Sequence, residues 1–137
     1  MTYTLPSLML THGAVLKMLG AAVAKAEEIG QPQCIVIVDV SGETLGQLRM
    51  NGGKYLSLKS ARAKARTAAS NGGPSDAIPA DFQPKIAAAT GGDVTGLSGG
   101  LPIRIDRHLV GGIGIGSGSA EQDIAVGRAA LDAIGAE

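Results

Sequence analysis

Aromatic residues are nearly missing from this 137-residue chain: it has two Tyr, one Phe and no Trp. A core without large rings must be closed by aliphatic and small side chains, so its elements have to lie close together. Cysteine occurs once, as Cys34, which excludes an intrachain disulfide and a cysteine zinc centre. Neither sign of charge is in excess. Twelve Lys and Arg balance twelve Asp and Glu, so the basic field that nucleic-acid binding needs is lacking. No apolar run approaches the ~18 residues of a membrane span, and no basic-then-apolar leader opens the chain, so the sequence reads as cytoplasmic. The two histidines, His12 and His108, fall in no H-E-x-x-H or other metal spacing, and no metal site is expected.

What abounds is glycine, at 21 residues. Glycine costs backbone entropy on folding, so many of these residues should hold conformations or close approaches that a Cβ forbids. The length suits one domain, 1–137, with an adequate core.

Hydrophobic periodicity predicts a helix over 11–29, with Thr11 as N-cap, Leu10 and Val15 as a staple, and an inward stripe of Leu16, Leu19, Val23 and Ala26 reinforced by Val15, Ala22 and Ile29. The β-branched run Cys34 to Val38 reads as a buried strand, turned by Ser41-Gly42 into a second strand over 44–50. A second helix spans 57–69, with a narrow face of Leu58, Ala61, Ala65, Ala68 and Ala69 and with Lys64 at its edge. Residues 71–100 are irregular, apart from a short helix from Pro84 to Ala89. Strands over 101–106 and 109–115 form a hairpin joined at Arg107-His108. The last helix runs over 120–134, with a capping box of Ser119 and Gln122 and a stripe of Ile124, Gly127, Leu131 and Ile134. This order predicts an α/β protein of the α+β type, with helices packed on a central antiparallel sheet of about five strands.

The most distinctive stretch is Gly111 to Ser119, a strand running through a glycine-rich turn into a capped helix. Free N–H groups at such a helix start attract anions, and glycine lets a ligand approach the backbone. The same glycines equally suit tight packing of strand against helix. The register is neither a dinucleotide fingerprint nor a Walker loop, and Glu121 and Asp123 put negative charge in the first helical turn. Arg49, at the end of the second strand beside Asn51, can clamp a carboxylate through two parallel hydrogen bonds. Lys64 either reaches over a pocket or snorkels to water. Cys34 reads as an inert small hydrophobe. A lone histidine, His12 or His108, remains a candidate haem ligand, with Met as a second one.

Four stretches taken in order resemble the GlcG/HbpS-like family, which includes the C-terminal part of PduO-type proteins. They are Ile35 to Gly42, Leu48-Arg49-Met50-Asn51-Gly52, Ala61 to Ala69, and Gly99 to Ile103 continuing through Gly111 to Gly114 and Glu121-Gln122-Asp123. The resemblance implies a three-layer α/β fold with an antiparallel sheet, and oligomers larger than dimers; Ala- and Gly-rich helix surfaces and zero net charge point the same way, to a closed homo-oligomer, tetramer to octamer. It also implies either haem binding or an accessory role in a catabolic operon, with a small hydroxy or oxo compound as ligand. Two positions depart from the family pattern. Asn51 stands where Asp is usual, which weakens an acid/base role there. The hairpin turn reads Asp106-Arg107-His108 in place of Asp-Gly, so no family role transfers to His108.

Three functional readings follow. The first is an accessory protein binding a small hydroxy- or oxo-carboxylate through Arg49, Asn51, Lys64, Gly114, Ser117, Gly118 and Ser119. The second is a haem-binding protein using His12 or His108. The third is a lyase or isomerase acting on an oxo acid, with Lys64 or Asp123 moving a proton.

Overall fold

A computed structural model describes residues 1–137. Its elements run α1 (His12–Glu28), β1 (Cys34–Val38), β2 (Thr44–Arg49), α2 (Leu56–Asn71), a 3-10 turn (Ser75–Ala77), α3 (Gln83–Ala89), β3 (Gly100–Ile105), β4 (His108–Gly116) and α4 (Ala120–Ala133). The sheet has four strands in the order β2-β1-β4-β3, all antiparallel, one fewer than the sequence suggests. The irregular segment between α2 and β3 contributes helical turns and loop, and adds no strand.

Strand alternation divides the core. Ile35, Ile37, Leu101, Ile103, Ile113 and Ile115 face α1 and α4. Cys34, Val36 and Val38 face Ala61, Ala65 and Ala69 of α2. The result is three layers, with two helices on one face of the sheet and one on the other. The helix on the second face lies very close. Gly112, Gly114 and Gly116 alternate along β4 toward α2, where Ser57, Ala61, Ala65 and Ala69 form an i, i+4 row. A Cβ on Gly114 would collide with the Ala61 carbonyl oxygen, and one on Gly116 would lie 2.8 Å from that of Ser57. The β4 glycines therefore serve strand–helix packing. Gly114 is buried inside the central strand, paired with Val36 on one side and Gly100 on the other, so it cannot belong to a ligand loop.

The caps agree with the sequence. Thr11 Oγ1 accepts the Ala14 N–H at 3.1 Å, and Ser119 and Gln122 close a complete capping box. The helix phases differ in detail. In α1 the buried row is Val15, Met18, Ala22 and Ala26, while Leu16 is 67% exposed. Small Ala22 and Ala26 point inward because α1 packs against α4 as well as the sheet. In α4 the buried row is Asp123, Val126, Gly127, Ala130 and Leu131; Gly127 and Leu131 of the expected stripe are buried and Ile134 packs on the core, while Ile124 turns away. In α2 burial spreads well beyond a narrow stripe, to Ala63, Lys64 and Thr67. The irregular segment covers that flank: Thr67 Oγ1 accepts the Thr95 N–H at 3.0 Å and donates to the Ala63 carbonyl at 2.7 Å. The β3–β4 turn is Asp106-Arg107, both at positive φ (49° and 68°), and His108 is the first residue of β4. No helix is long and apolar enough to cross a membrane.

Replacing Gly114 by Ala is expected to force α2 off the sheet. The cost should be about 3 kcal/mol or more, in the upper range for overpacking. A urea titration that leaves the midpoint unmoved would contradict this account of the β4–α2 contact.

Candidate functional site

Alanine-rich α2 carries one face that is not apolar. Ser57, Ser60 and Lys64 follow at i, i+3 and i+7, a helical stripe that stacks them in one row. The row forms one wall of a 530 Å³ cleft closed by Gly96 to Ser98 and by the β4–α4 junction. Lys54 and Lys64 supply its cationic groups, and Asp123 is the carboxylate.

Lys64 is not at the edge of its helix face: its side chain is only 6% exposed, and that of Asp123 only 3%. Lys64 Nζ donates to the Ile115 carbonyl at 2.7 Å and to Asp123 Oδ2 at 3.1 Å. Asp123 Oδ1 accepts the Gly118 N–H at 3.0 Å. An ammonium has three donors, so one N–H of Lys64 is left over. Burial pushes the Asp123 carboxyl above the ordinary 3.8, against the opposing pull of Lys64 and of the Gly118 N–H. Gln33 is fully buried beside this carboxylate and favours its charged form. Neither atom of its side-chain amide closes a well-formed hydrogen bond.

Two glycines hold the space around the pair. A Cβ on Gly99 (φ +117°) would lie 3.2 Å from Lys64 Nζ and 2.8 Å from the Ile115 oxygen. A Cβ on Gly118 would lie 2.7 Å from Asp123 Oδ1 and 2.6 Å from Gln33 Nε2. Any larger residue at either position would crowd the groups that make the cleft polar.

The structure separates some residues that the sequence grouped. Lys64, Asp123, Ser117 and Gly118 share the cleft. Arg49 and Asn51 line a different groove of 660 Å³ between the end of α1 and β2. Arg49 also borders a shallow depression over the start of α2, which meets the Lys64 cleft at Lys54, Ser57 and Ser60. The loop is also less free than expected. The Gly118 N–H is held by Asp123, the Ser119 N–H by Gln122 Oε1, and the Ser119 hydroxyl by the Gln122 N–H. Ser117 sits at φ 83°, unusual for a non-glycine residue, and its hydroxyl accepts the Lys54 N–H at 3.1 Å. These groups knit the junction together and are not a cradle of free donors. Asp123 does not burden the helix start with uncompensated charge, because Lys64 neutralises it.

His12 and His108 are both exposed, one at the start of α1 and one after the β3–β4 turn, and neither lines the cleft. Cys34 is buried. Burial raises its thiol pKa, opposed by Ser117 and Arg49, so it is a poor nucleophile. Ser57, Ser60 and Ser98 had no place in the sequence-based site. The Ser57-Ser60-Lys64 spacing was the available signal for the first two.

The family described as haem-degrading protein HbpS-like matches residues 10–132. The chain belongs to that family. A 15.0 kDa uncharacterised protein in the dhaT–dhaS intergenic region of Citrobacter freundii is 33% identical, and the alignment covers 90% of both chains. The corrinoid adenosyltransferase PduO of Citrobacter freundii is 31% identical over 94% of this chain, but the match spans only 40% of PduO. Among solved structures, the PduOC:haem complex superposes with a TM-score of 0.87 at 28% identity, covering 95% of this chain and 98% of the other. The HbpS-like chain thus has the fold that its sequence resemblance implies.

The raised Asp123 pKa fixes the sign of a pH effect. A carboxyl whose folded value lies above its unfolded one contributes stability that is fully present below about pH 3.8 and lost as pH rises through the raised value. Asp123→Asn should therefore compare worst with the wild-type protein in acid and gain on it toward neutral pH. Urea unfolding of both proteins at a series of pH values measures the difference. A gap that widens with rising pH would show the sign to be wrong.

Proposed function

We propose that this HbpS-like chain is a ligand-binding accessory protein of a catabolic pathway, taking a small hydroxy- or oxo-carboxylate in the Lys64–Asp123 cleft. The observation that carries the reading is the buried ammonium with a spare N–H on a serine-lined wall. Such a site suits an anion that also carries a hydroxyl or carbonyl oxygen. Lys54 adds positive charge. Arg49, in the adjoining depression, attracts the same anion from outside the cleft and does not clamp it within. The relative in the dhaT–dhaS intergenic region and the PduO match support an accessory role beside metabolic enzymes. The adenosyltransferase activity named for PduO is not carried over, since most of that protein lies outside the match.

Calorimetry with lactate and pyruvate tests the reading. The double variant Ser57→Ala, Ser60→Ala leaves the ion pair in place and should weaken binding about tenfold, the worth of one or two hydrogen bonds. Arg49→Ala should cost less. No heat of binding with any small hydroxy or oxo acid would remove the cleft from consideration.

Haem is the second reading, favoured by the family and by the PduOC:haem complex. The donor set does not fit haem inside the Lys64 cleft, whose walls are polar and hold no imidazole. The groove beside Met50 is more apolar, but the Met50 thioether already accepts the Gln33 N–H at 3.4 Å. Haem would instead sit at the surface or between copies of the chain, on exposed His12 or His108. Large apolar side chains exposed along the N-terminal segment, Tyr3, Leu5, Leu8 and Met9, support association into a closed homo-oligomer of four to eight chains. A haem titration by absorbance should then lose its Soret shift in His12→Ala or His108→Ala. Sedimentation across a wide concentration range should show a species several times the 13.7 kDa chain mass. An unshifted spectrum ends the haem reading, and a monomer at all concentrations ends the assembly.

A further inference from the structure

The Lys64–Asp123 pair is placed for more than holding an anion. Both groups line the cleft, their charged atoms are 3.1 Å apart, and each is anchored by the backbone, at Ile115 and Gly118. Gly99 and Gly118 remove the side chains that would otherwise press on Nζ and Oδ1. The spare Lys64 N–H and the remaining lone pairs of the Asp123 oxygens therefore border the same cleft within about one hydrogen-bond length of each other. From this we infer that the cleft catalyses proton transfer at the carbon next to a carbonyl, enolising a small 2-oxo acid. The inference rests on the ligand-binding reading given above.

The step balances within the chain. Asp123 Oδ takes a proton from the carbon beside the ketone, and that C–H bond breaks. Its electron pair becomes the new C=C bond, while the carbonyl π pair moves onto oxygen. The enolate oxygen accepts the spare Lys64 N–H, a charge-assisted bond that strengthens as negative charge develops. Returning the proton from Asp123 to the same carbon regenerates the oxo acid. No oxidant, reductant or metal is required. The serines and Lys54 hold the carboxylate end. Desolvation makes Asp123 a stronger base than a surface carboxylate, which suits abstraction from carbon. Gln33, buried beside it, turns its amide nitrogen toward the carboxylate and favours the charged form that abstracts the proton.

The experiment is hydrogen–deuterium exchange of pyruvate in D2O, followed by proton NMR, with saturation-transfer spectra on the same sample reporting binding. The wild-type protein is expected to exchange the methyl protons at least 100-fold faster than buffer. Asp123→Asn should exchange at the buffer rate while still giving saturation transfer. Asp123→Glu keeps the ion pair and shifts the base by one methylene, so it should lose at least tenfold, and it serves if the Asn variant fails to fold by circular dichroism. Saturation transfer with exchange at the buffer rate would overturn the inference and leave the ligand-binding reading standing. No saturation transfer would sink both. Undiminished exchange in a folded Asp123 variant would show that Asp123 is not the base.

Discussion

The contact on which the rest depends is the one between β4 and α2. Three alternate glycines on a central strand meet a row of one serine and three alanines at i, i+4 on the helix, and backbone approaches backbone with no side chain between. With almost no aromatic side chains in the chain, volume cannot be filled by rings, so the layers close instead. That closeness sets the position of everything beyond the glycines. It brings the first turns of α2 beside the β4–α4 junction, and so places Lys64 within reach of Ile115 and Asp123. A helix held farther off by larger side chains would leave Lys64 in water and Asp123 unpaired.

Much of this was legible. The capped helices, both hairpins and the antiparallel sheet follow from period, caps and turn residues, because those signals are local. Thr11 and Ser119 cap as their sequence context dictates. The phases of α1 and α4 were harder, because each helix packs on the sheet and on the other at once. That favours Met18 and Ala130 inward over Leu16 and Ile124. The sheet has four strands where about five are expected. The segment between α2 and β3 covers the flank of α2 at Thr67, and Ser75 ties it to the start of β3 at Gly100.

The site was legible only in part. Lys64 and Asp123 stand out as chemistry-bearing residues, but nothing local says that they meet, since 58 residues lie between them in the chain. The glycine loop looked like a set of free donors because sequence shows how many N–H groups a turn offers and not what takes them. Here Asp123 and Gln122, a few residues on, take the Gly118 and Ser119 N–H groups. Arg49 and Asn51 were grouped with Lys64 by chemistry alone, and the fold sets them in a neighbouring groove. Gln33 carried no signal at all. A glutamine before a β-branched run is usually a solvated strand start, yet here the α1–β1 connection tucks it beneath the β4–α4 junction.

The buried pair is itself an argument about use. Removing a lysine and a carboxylate from water costs several kcal/mol for each ion, and their mutual attraction seldom does more than offset that cost. The upward displacement of the Asp123 pKa says that here desolvation outweighs the attraction of Lys64. Two packed apolar side chains would hold α2 to α4 at least as firmly. The fold nevertheless keeps an ammonium, a carboxylate and an unsatisfied glutamine in one corner, and keeps glycine at 99 and 118 so that no Cβ presses on them. A scaffold built only for stability would fill that corner. One built to present charge to a small molecule keeps polar groups there and carries strain beside them, as at Ser117, where a non-glycine residue holds φ 83° and ties the junction to Lys54 ahead of α2.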